Sequence, residues 1–155
     1  GLVEALVLSW RPPGKLHHPG GLIGLSRRAV REVMLPPPLV SRESTLLSCI
    51  PLLGLGAVLV EGGGIFTDGD LRRLVGAAAC RPRTGVAETD VLSGKVGESC
   101  TRSPVTVGEH ESCALALDRM ERRSSQLSVL PVVNAAGSYV GLLRLHDLVR
   151  IGMGA

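Results

Sequence analysis

Two short polar clusters, each placed where an apolar stretch ends, are the groups in this chain best suited to bind a ligand. They consist of Thr67, Asp68 and Asp70, and of Arg144, His146 and Asp147. A hydroxyl or guanidinium group can contact phosphate, and the N-terminus of a helix adds N–H groups and a partial positive charge. A nearby aspartate can accept hydrogen bonds from ribose hydroxyls. The clusters therefore predict nucleotide sites.

The spacing of the first cluster also fits a purely structural role. A threonine followed three residues later by an acidic residue is the pattern of a helix N-cap box, as Thr67 and Asp70 show. There the hydroxyl and the carboxylate satisfy amide groups that the first turn leaves unpaired. One copy alone favours the cap, whereas two copies in matching contexts give weight to the nucleotide site. Both interpretations stay open.

The clusters lie in an internal repeat. Residues 64–71 recur in outline 77 positions later as residues 141–148. In each copy a glycine opens an apolar strand and an amphipathic stretch follows the aspartate, so that the polar groups lie at a strand-to-helix corner. Introductory segments at 30–34 and 96–100 also correspond, but they are 66 residues apart. The first copy therefore lacks 11 residues that the second has.

The second copy shows its elements clearly. Apolar residues at helical spacing between 113 and 120 predict an amphipathic helix. Strands are predicted at 127–133 and 139–143, joined by a turn at 134–137.

The first copy is shorter. Its strands are predicted at 57–60 and 65–67, around a glycine-rich turn. Pro51 falls inside the segment 45–55, where the helix is expected. Because proline removes a backbone donor and clashes with the preceding turn, this helix is predicted to be short or broken.

The segment from about Val30 to Ile151 resembles a tandem pair of cystathionine-β-synthase (CBS) domains, whose second strand typically ends in Gly-h-h-Thr/Ser-x-x-Asp, with h apolar. The first copy matches closely, whereas Arg144 replaces the hydroxyl residue in the second. The resemblance implies an α+β fold, a CBS-domain pair of two β-α-β-β-α repeats related by a pseudo-twofold axis, with a cleft on either side. A nucleotide is then expected chiefly at Thr67 and Asp70, with a weaker or altered site at Arg144, His146 and Asp147.

Residues 17–24 resemble the His-Pro-Gly-Gly-x-x-Gly signature found between the sugar-isomerase (SIS) domain and the CBS pair of arabinose-5-phosphate isomerases. The resemblance implies that His18 corresponds to a histidine associated with aldose-ketose interconversion, which needs a positioned acid and base. The alternative is that Pro19-Gly20-Gly21 forms a turn with His18 on the surface. We favour the turn, because only 17 residues precede His18. No complete active site is then expected in this chain.

This organisation predicts four segments: residues 1–25 as a remnant of, or linker from, an SIS domain, 26–80 as CBS repeat 1, 81–95 as a linker and 96–155 as CBS repeat 2. The chain does not begin with methionine. We therefore expect it to be part of a longer protein, in which an SIS catalytic domain is its partner.

Composition and residue spacing argue against several other classes of function. With a net charge of +3 and aromatic residues at 2%, the chain is poorly suited to bind single-stranded nucleic acid. The four cysteines lack Cys-x-x-Cys spacing, so we expect reduced thiols and no metal site. Residues 2–10 fit neither a membrane span nor a signal peptide, which predicts a cytoplasmic protein without membrane contact.

Two functions remain. The chain is either a regulatory module that binds an adenine or cytidine nucleotide or a CMP-linked sugar, with no cofactor, or a structural dimerisation module whose clefts are degenerate and unoccupied. Apolar faces left after two small repeats pair predict a homodimer or higher oligomer in either case. Isomerase activity of the chain by itself ranks last.

Overall fold

The computed structural model describes residues 24–80, 91–122 and 127–153. The chain divides into two compact units, each containing one three-stranded sheet. We name them the Thr67 unit and the Arg144 unit, after the residue that ends the last strand of each sheet.

The Thr67 unit comprises the described residues between 37 and 104. Its elements are β1 (Leu39–Val40), α1 (Leu46–Cys49), a 3₁₀ helix (Ile50–Leu55), β2 (Ala57–Val60), β3 (Ile65–Thr67), α2 (Asp68–Ala79) and α3 (Val96–Ser99). Strand β2 is central, parallel to β1 and antiparallel to β3. Both strands predicted for this copy are confirmed. The predicted break is confirmed as well, since α1 is only one turn long and passes into the 3₁₀ helix at Pro51.

All four residues of β2 are buried. Apolar side chains from α1, the 3₁₀ helix, β2, β3 and α3 form the core: Leu46, Cys49, Leu53, Val58, Val60, Phe66 and Val96. Helix α2 has no fully buried residue. Leu71 and Leu74 nevertheless pack against the core from its inner face. Helix α2 is thus held along one side, while its first turn stays accessible.

The Arg144 unit contains residues 24–36 and the described residues from 105 onward. Its elements are a 3₁₀ helix (Val30–Glu32), β4 (Val107–Gly108), α4 (Cys113–Glu121), β5 (Val129–Val133), β6 (Tyr139–Arg144) and α5 (Leu145–Gly152). Strand β5 is central, parallel to β4 and antiparallel to β6. The predicted helix and both predicted strands are confirmed, with strand ends displaced by one or two residues.

The segment before the first repeat belongs to the core of this second unit. Leu25 and Val30 are fully buried there. The amide of Leu35 donates to the carbonyl of Leu142 at 2.8 Å, and the amide of Leu142 donates back at 3.0 Å. Thr101 and Ile65 exchange the same pair of hydrogen bonds in the Thr67 unit, at 2.8 and 2.9 Å.

Each introductory segment thus joins the compact unit that the other repeat's strands form. The predicted sequence boundaries, 26–80 and 96–155, describe the repeat and stay a prediction. Most of the predicted linker lies outside the described residues.

Candidate functional site

Thr67 ends β3 and is the N-cap of α2, where it forms the box that its spacing predicts. Its hydroxyl accepts a hydrogen bond from the amide of Asp70 at 3.1 Å. In return, Oδ2 of Asp70 accepts one from the amide of Thr67 at 2.9 Å. The structural interpretation of this spacing is therefore confirmed. It does not exclude a ligand, because a hydroxyl and a carboxylate each have further hydrogen-bonding capacity.

The carboxylates of the first cluster have arginine partners on the outer side of α2. Arg73 pairs with Oδ1 of Asp70, and Arg72 pairs with Asp68 at 2.9 Å. The Arg73 side chain is 72% exposed, whereas that of Asp70 is 22% exposed. Because exposed ion pairs contribute little free energy, Arg73 can exchange its partner at small cost.

The first turn of α2 carries no side chain at Gly69, where Arg73 and Thr67 lie close by. A Cβ atom at this position would lie 3.5 Å from Nη1 of Arg73 and 3.7 Å from Oγ1 of Thr67. The hydroxyl of Thr67 and the guanidinium of Arg73 thus lie beside the first turn of α2, which has no side chain at Gly69. Such a group suits an anion such as phosphate.

The second cluster is arranged differently. Arg144 is the N-cap of α5, but its side chain caps no amide. Its Nε donates to Oδ2 of Asp147 at 2.8 Å, and its Nη2 donates to Oδ1 at 3.1 Å. The hydrogen bond to Asp147 raises the pKa of Arg144 above its ordinary value. Both carboxylate oxygens are thus bound by one guanidinium, while His146 in the same turn is exposed.

The two helices nevertheless begin with the same backbone hydrogen bond. The amide of Asp68 donates to the carbonyl of Gly56 at 3.2 Å, and the amide of Leu145 donates to that of Ser128 at 2.8 Å. Both acceptors directly precede the central strand of their sheet. The corner is therefore set by the backbone, and the difference between the clusters lies in their side chains.

The six predicted nucleotide-binding residues are thus found as two clusters, one in each unit. Sequence reasoning missed the arginine partners of Asp70 and Asp147. The signal was present, since opposite charges three residues apart lie on one face of a helix or its first turn. His18 lies outside the described residues.

Among the described residues, no group of three or more histidine, cysteine or acidic side chains could hold a metal ion. Cys49 and Cys113 are buried free thiols. No helix in the described part of the chain is long and apolar enough to cross a membrane.

Comparison with known proteins agrees with this architecture. The family model of the CBS domain matches residues 96–154. The arabinose 5-phosphate isomerase KdsD of Pseudomonas aeruginosa is 35% identical over 150 residues, which cover 88% of this chain and 42% of that protein. The chain thus spans less than half the length of the curated relatives it matches.

Solved structures share the fold. CBSX2 in complex with AMP has a TM-score of 0.62 and 22% identity, covering 81% of this chain and 96% of that one. The CBS domain of a bacterial CNNM/CorC family Mg²⁺ transporter in complex with ATP has a TM-score of 0.64 and 22% identity, covering 90% and 96%. The predicted α+β fold of paired CBS repeats is confirmed.

Proposed function

We propose that this chain, a tandem pair of CBS domains, is the ligand-sensing regulatory module of a sugar-phosphate isomerase of the arabinose 5-phosphate type and binds a nucleotide. The observation that carries the proposal is the Thr67 cluster, in which a hydroxyl, a carboxylate and a guanidinium surround an open helix start. The resemblance to KdsD supports an arabinose 5-phosphate type isomerase as the parent protein.

Each group in the cluster has a role that suits a nucleotide. The hydroxyl of Thr67 and the guanidinium of Arg73 face phosphate at the start of α2, and the absence of a side chain at Gly69 permits close approach. Asp70 accepts hydrogen bonds from ribose hydroxyls through lone pairs that its cap does not use. Asp68, which is paired to Arg72, contributes to the charge at the edge of the Thr67 cluster.

The ligand class follows from this chemistry and from the solved neighbours. Adenine nucleotides, cytidine nucleotides and CMP-linked sugars all present phosphate beside ribose. AMP and ATP occupy the two CBS structures described above, which favours an adenine nucleotide. Regulation requires that the ligand bind two states of the parent protein with unequal affinity. An SIS catalytic domain in a cytoplasmic parent protein is the proposed receiver of that signal.

We further propose that the chain by itself does not isomerise sugar phosphates. Purified chain is incubated with ribulose 5-phosphate, and arabinose 5-phosphate is measured. Turnover that His18→Ala abolishes would contradict this expectation.

A structural dimerisation module is the second candidate, and exposed apolar side chains favour it. Leu47, Ile50, Leu52 and Leu55 are exposed on α1 and the 3₁₀ helix that follows it. In the second cluster, Arg144 also binds both carboxylate oxygens of Asp147, so neither is available to a ligand.

The test begins with a thermal-shift screen of AMP, ATP, CMP, CTP and CMP-linked sugars. We expect at least one to raise the melting temperature, since a ligand that binds the folded state stabilises it. If none does, the regulatory proposal fails and the structural candidate stands.

The bound compound is then titrated against Asp70→Ala. Loss of two hydrogen bonds to ribose costs about 1–3 kcal/mol, or roughly 5-fold to 150-fold in affinity. This substitution also removes a cap, so Ser112→Ala is the matched control. Ser112 caps α4 by accepting from the amide of Leu115 at 3.1 Å, in the other unit. We expect Ser112→Ala to retain affinity, and an equal loss in both variants would refute the site.

A further inference from the structure

We propose that Arg144 withholds Asp147 from ligands and thereby limits each chain to one nucleotide. This inference rests on the proposed nucleotide function of the Thr67 cluster, and it makes Arg144 the residue that determines the number of sites. The two copies of the repeat provide an internal comparison, because they share a backbone corner and differ in the side chains that surround it.

The two aspartates differ in how their oxygens are bound. Both oxygens of Asp147 accept from one guanidinium, in two parallel bonds of 2.8 and 3.1 Å. In Asp70, one oxygen accepts from a backbone amide and the other from Arg73. Bidentate arginine–carboxylate pairs are among the stronger polar contacts in proteins.

The exposures of the partners differ in the same direction. The side chains of Arg144 and Asp147 are 28% and 14% exposed, whereas that of Arg73 is 72% exposed. A ribose that displaced Arg144 would leave a partly buried guanidinium without its carboxylate, which is costly. One that displaces Arg73 releases a side chain that is already in water. Asp70 is therefore available to accept hydrogen bonds from ribose, and Asp147 is not.

The substitution at position 144 explains the different availability of the two aspartates better than the substitution at position 146. His146 occupies the position that corresponds to Gly69, but its side chain is exposed and contributes no contact to the Arg144–Asp147 pair. Replacing Arg144 with threonine recreates the Thr-x-x-Asp spacing of the first copy. The amide of Leu145 keeps its bond to Ser128, so the helix start does not depend on the arginine.

The experiment counts AMP molecules bound per chain by equilibrium dialysis, up to saturation. We expect one for the wild-type chain, two for Arg144→Thr, and one again for Arg144→Thr combined with Asp147→Ala. His146→Gly is the matched control, because it changes the same turn and leaves the ion pair intact, and we expect one. Far-UV circular dichroism verifies that each variant is folded.

Two wild-type sites, or a folded Arg144→Thr variant that binds no more AMP than a wild-type chain with one site, would overturn the inference. Asp147→Ala in the wild-type background supplies a test that does not depend on the Arg144 variant. It is expected to leave the AMP count and affinity unchanged, and a lower count would place a ligand on Asp147. If the wild-type chain binds no AMP and Arg144→Thr binds one, the Thr67 site is wrong while the role of Arg144 stands. No AMP binding by either protein overturns this inference and the assignment of AMP to the Thr67 cluster.

Discussion

Replacing Gly97 with alanine is expected to destabilise the Thr67 unit, because Arg42 packs directly against this glycine. A Cβ atom at position 97 would lie 2.8 Å from both Cβ and the carbonyl oxygen of Arg42. The amide of Gly97 donates to that same oxygen at 3.0 Å. Nη2 of Arg42 donates to the carbonyl of Gly97 at 3.1 Å, while its Nη1 donates to the carbonyl of Gly63 at 3.1 Å. The backbone of Arg42 therefore cannot move away without straining these hydrogen bonds.

The magnitude follows from three contributions. Overpacking by one methyl group costs about 1–3 kcal/mol, and lengthening one hydrogen bond costs about 1 kcal/mol more. Because Gly97 lies in α3, alanine recovers about 1 kcal/mol through helix propensity. The net loss is about 1–3 kcal/mol. At about 2–4 °C per kcal/mol for a chain of this size, the melting temperature falls by roughly 2–12 °C.

Gly76→Ala is the matched control, since Gly76 lies in α2 and a Cβ atom there would meet nothing within 4 Å. It is expected to stabilise the protein by about 0.5–1 kcal/mol. Both variants and the wild-type chain are unfolded thermally and followed by circular dichroism. If Gly97→Ala melted at or above the wild-type temperature, the close packing of Arg42 on this glycine would be refuted.

Three further predictions concern acid stability, thiol reactivity and assembly. Burial raises the pKa of Glu111, but hydrogen bonds from a backbone amide and Arg119, together with the charge of Arg119, outweigh it and leave the pKa below its ordinary value. Its stabilising contribution is therefore present at neutral pH and lost as the pH falls through the folded-state pKa, so the urea stability of Glu111→Gln should approach that of the wild-type chain in acid. Burial raises the pKa of Cys113 to about 11, so iodoacetamide should alkylate exposed Cys80 much faster, and equal rates would contradict the burial. Leu47 is 59% exposed on α1, and we expect sedimentation at micromolar concentration to show a dimer that Leu47→Glu weakens. A wild-type chain that sediments only as a monomer would refute this.

The sequence predicted the strands and the broken helix well, because each depends on local signals. Glycine-rich turns bound the apolar runs, and Pro51, which has no backbone N–H, interrupts a helical segment. The cap formed by Thr67 and Asp70 was also predictable, since it depends on spacing alone. Local chemistry therefore accounts for the elements and for the corner at which the candidate site lies.

Contacts that depend on tertiary structure were not predictable in this way. The sequence repeat aligns residues 30–34 with 96–100, but it does not specify which sheet each segment pairs with. Pairing of Leu35 with Leu142 depends on backbone groups, which carry no sequence signal. The arginine partners of the aspartates were missed for another reason. The spacing places each arginine near its aspartate, but an arginine side chain is long enough to reach several acceptors, and the folded corner determines which one it binds.

The two corners show how one motif can retain its backbone while the side chains around it change. In both units the first helix amide donates to the carbonyl that precedes the central strand, through Asp68 and Gly56 or through Leu145 and Ser128. Because this bond uses backbone atoms alone, the residue at the strand end is free to vary without loss of the helix. Threonine there builds a cap that leaves carboxylate lone pairs accessible, whereas Arg144 builds an ion pair that occupies both oxygens. If the proposed nucleotide site is correct, substitution at this single position removes a ligand site from a repeat while its sheet and helices stay in place.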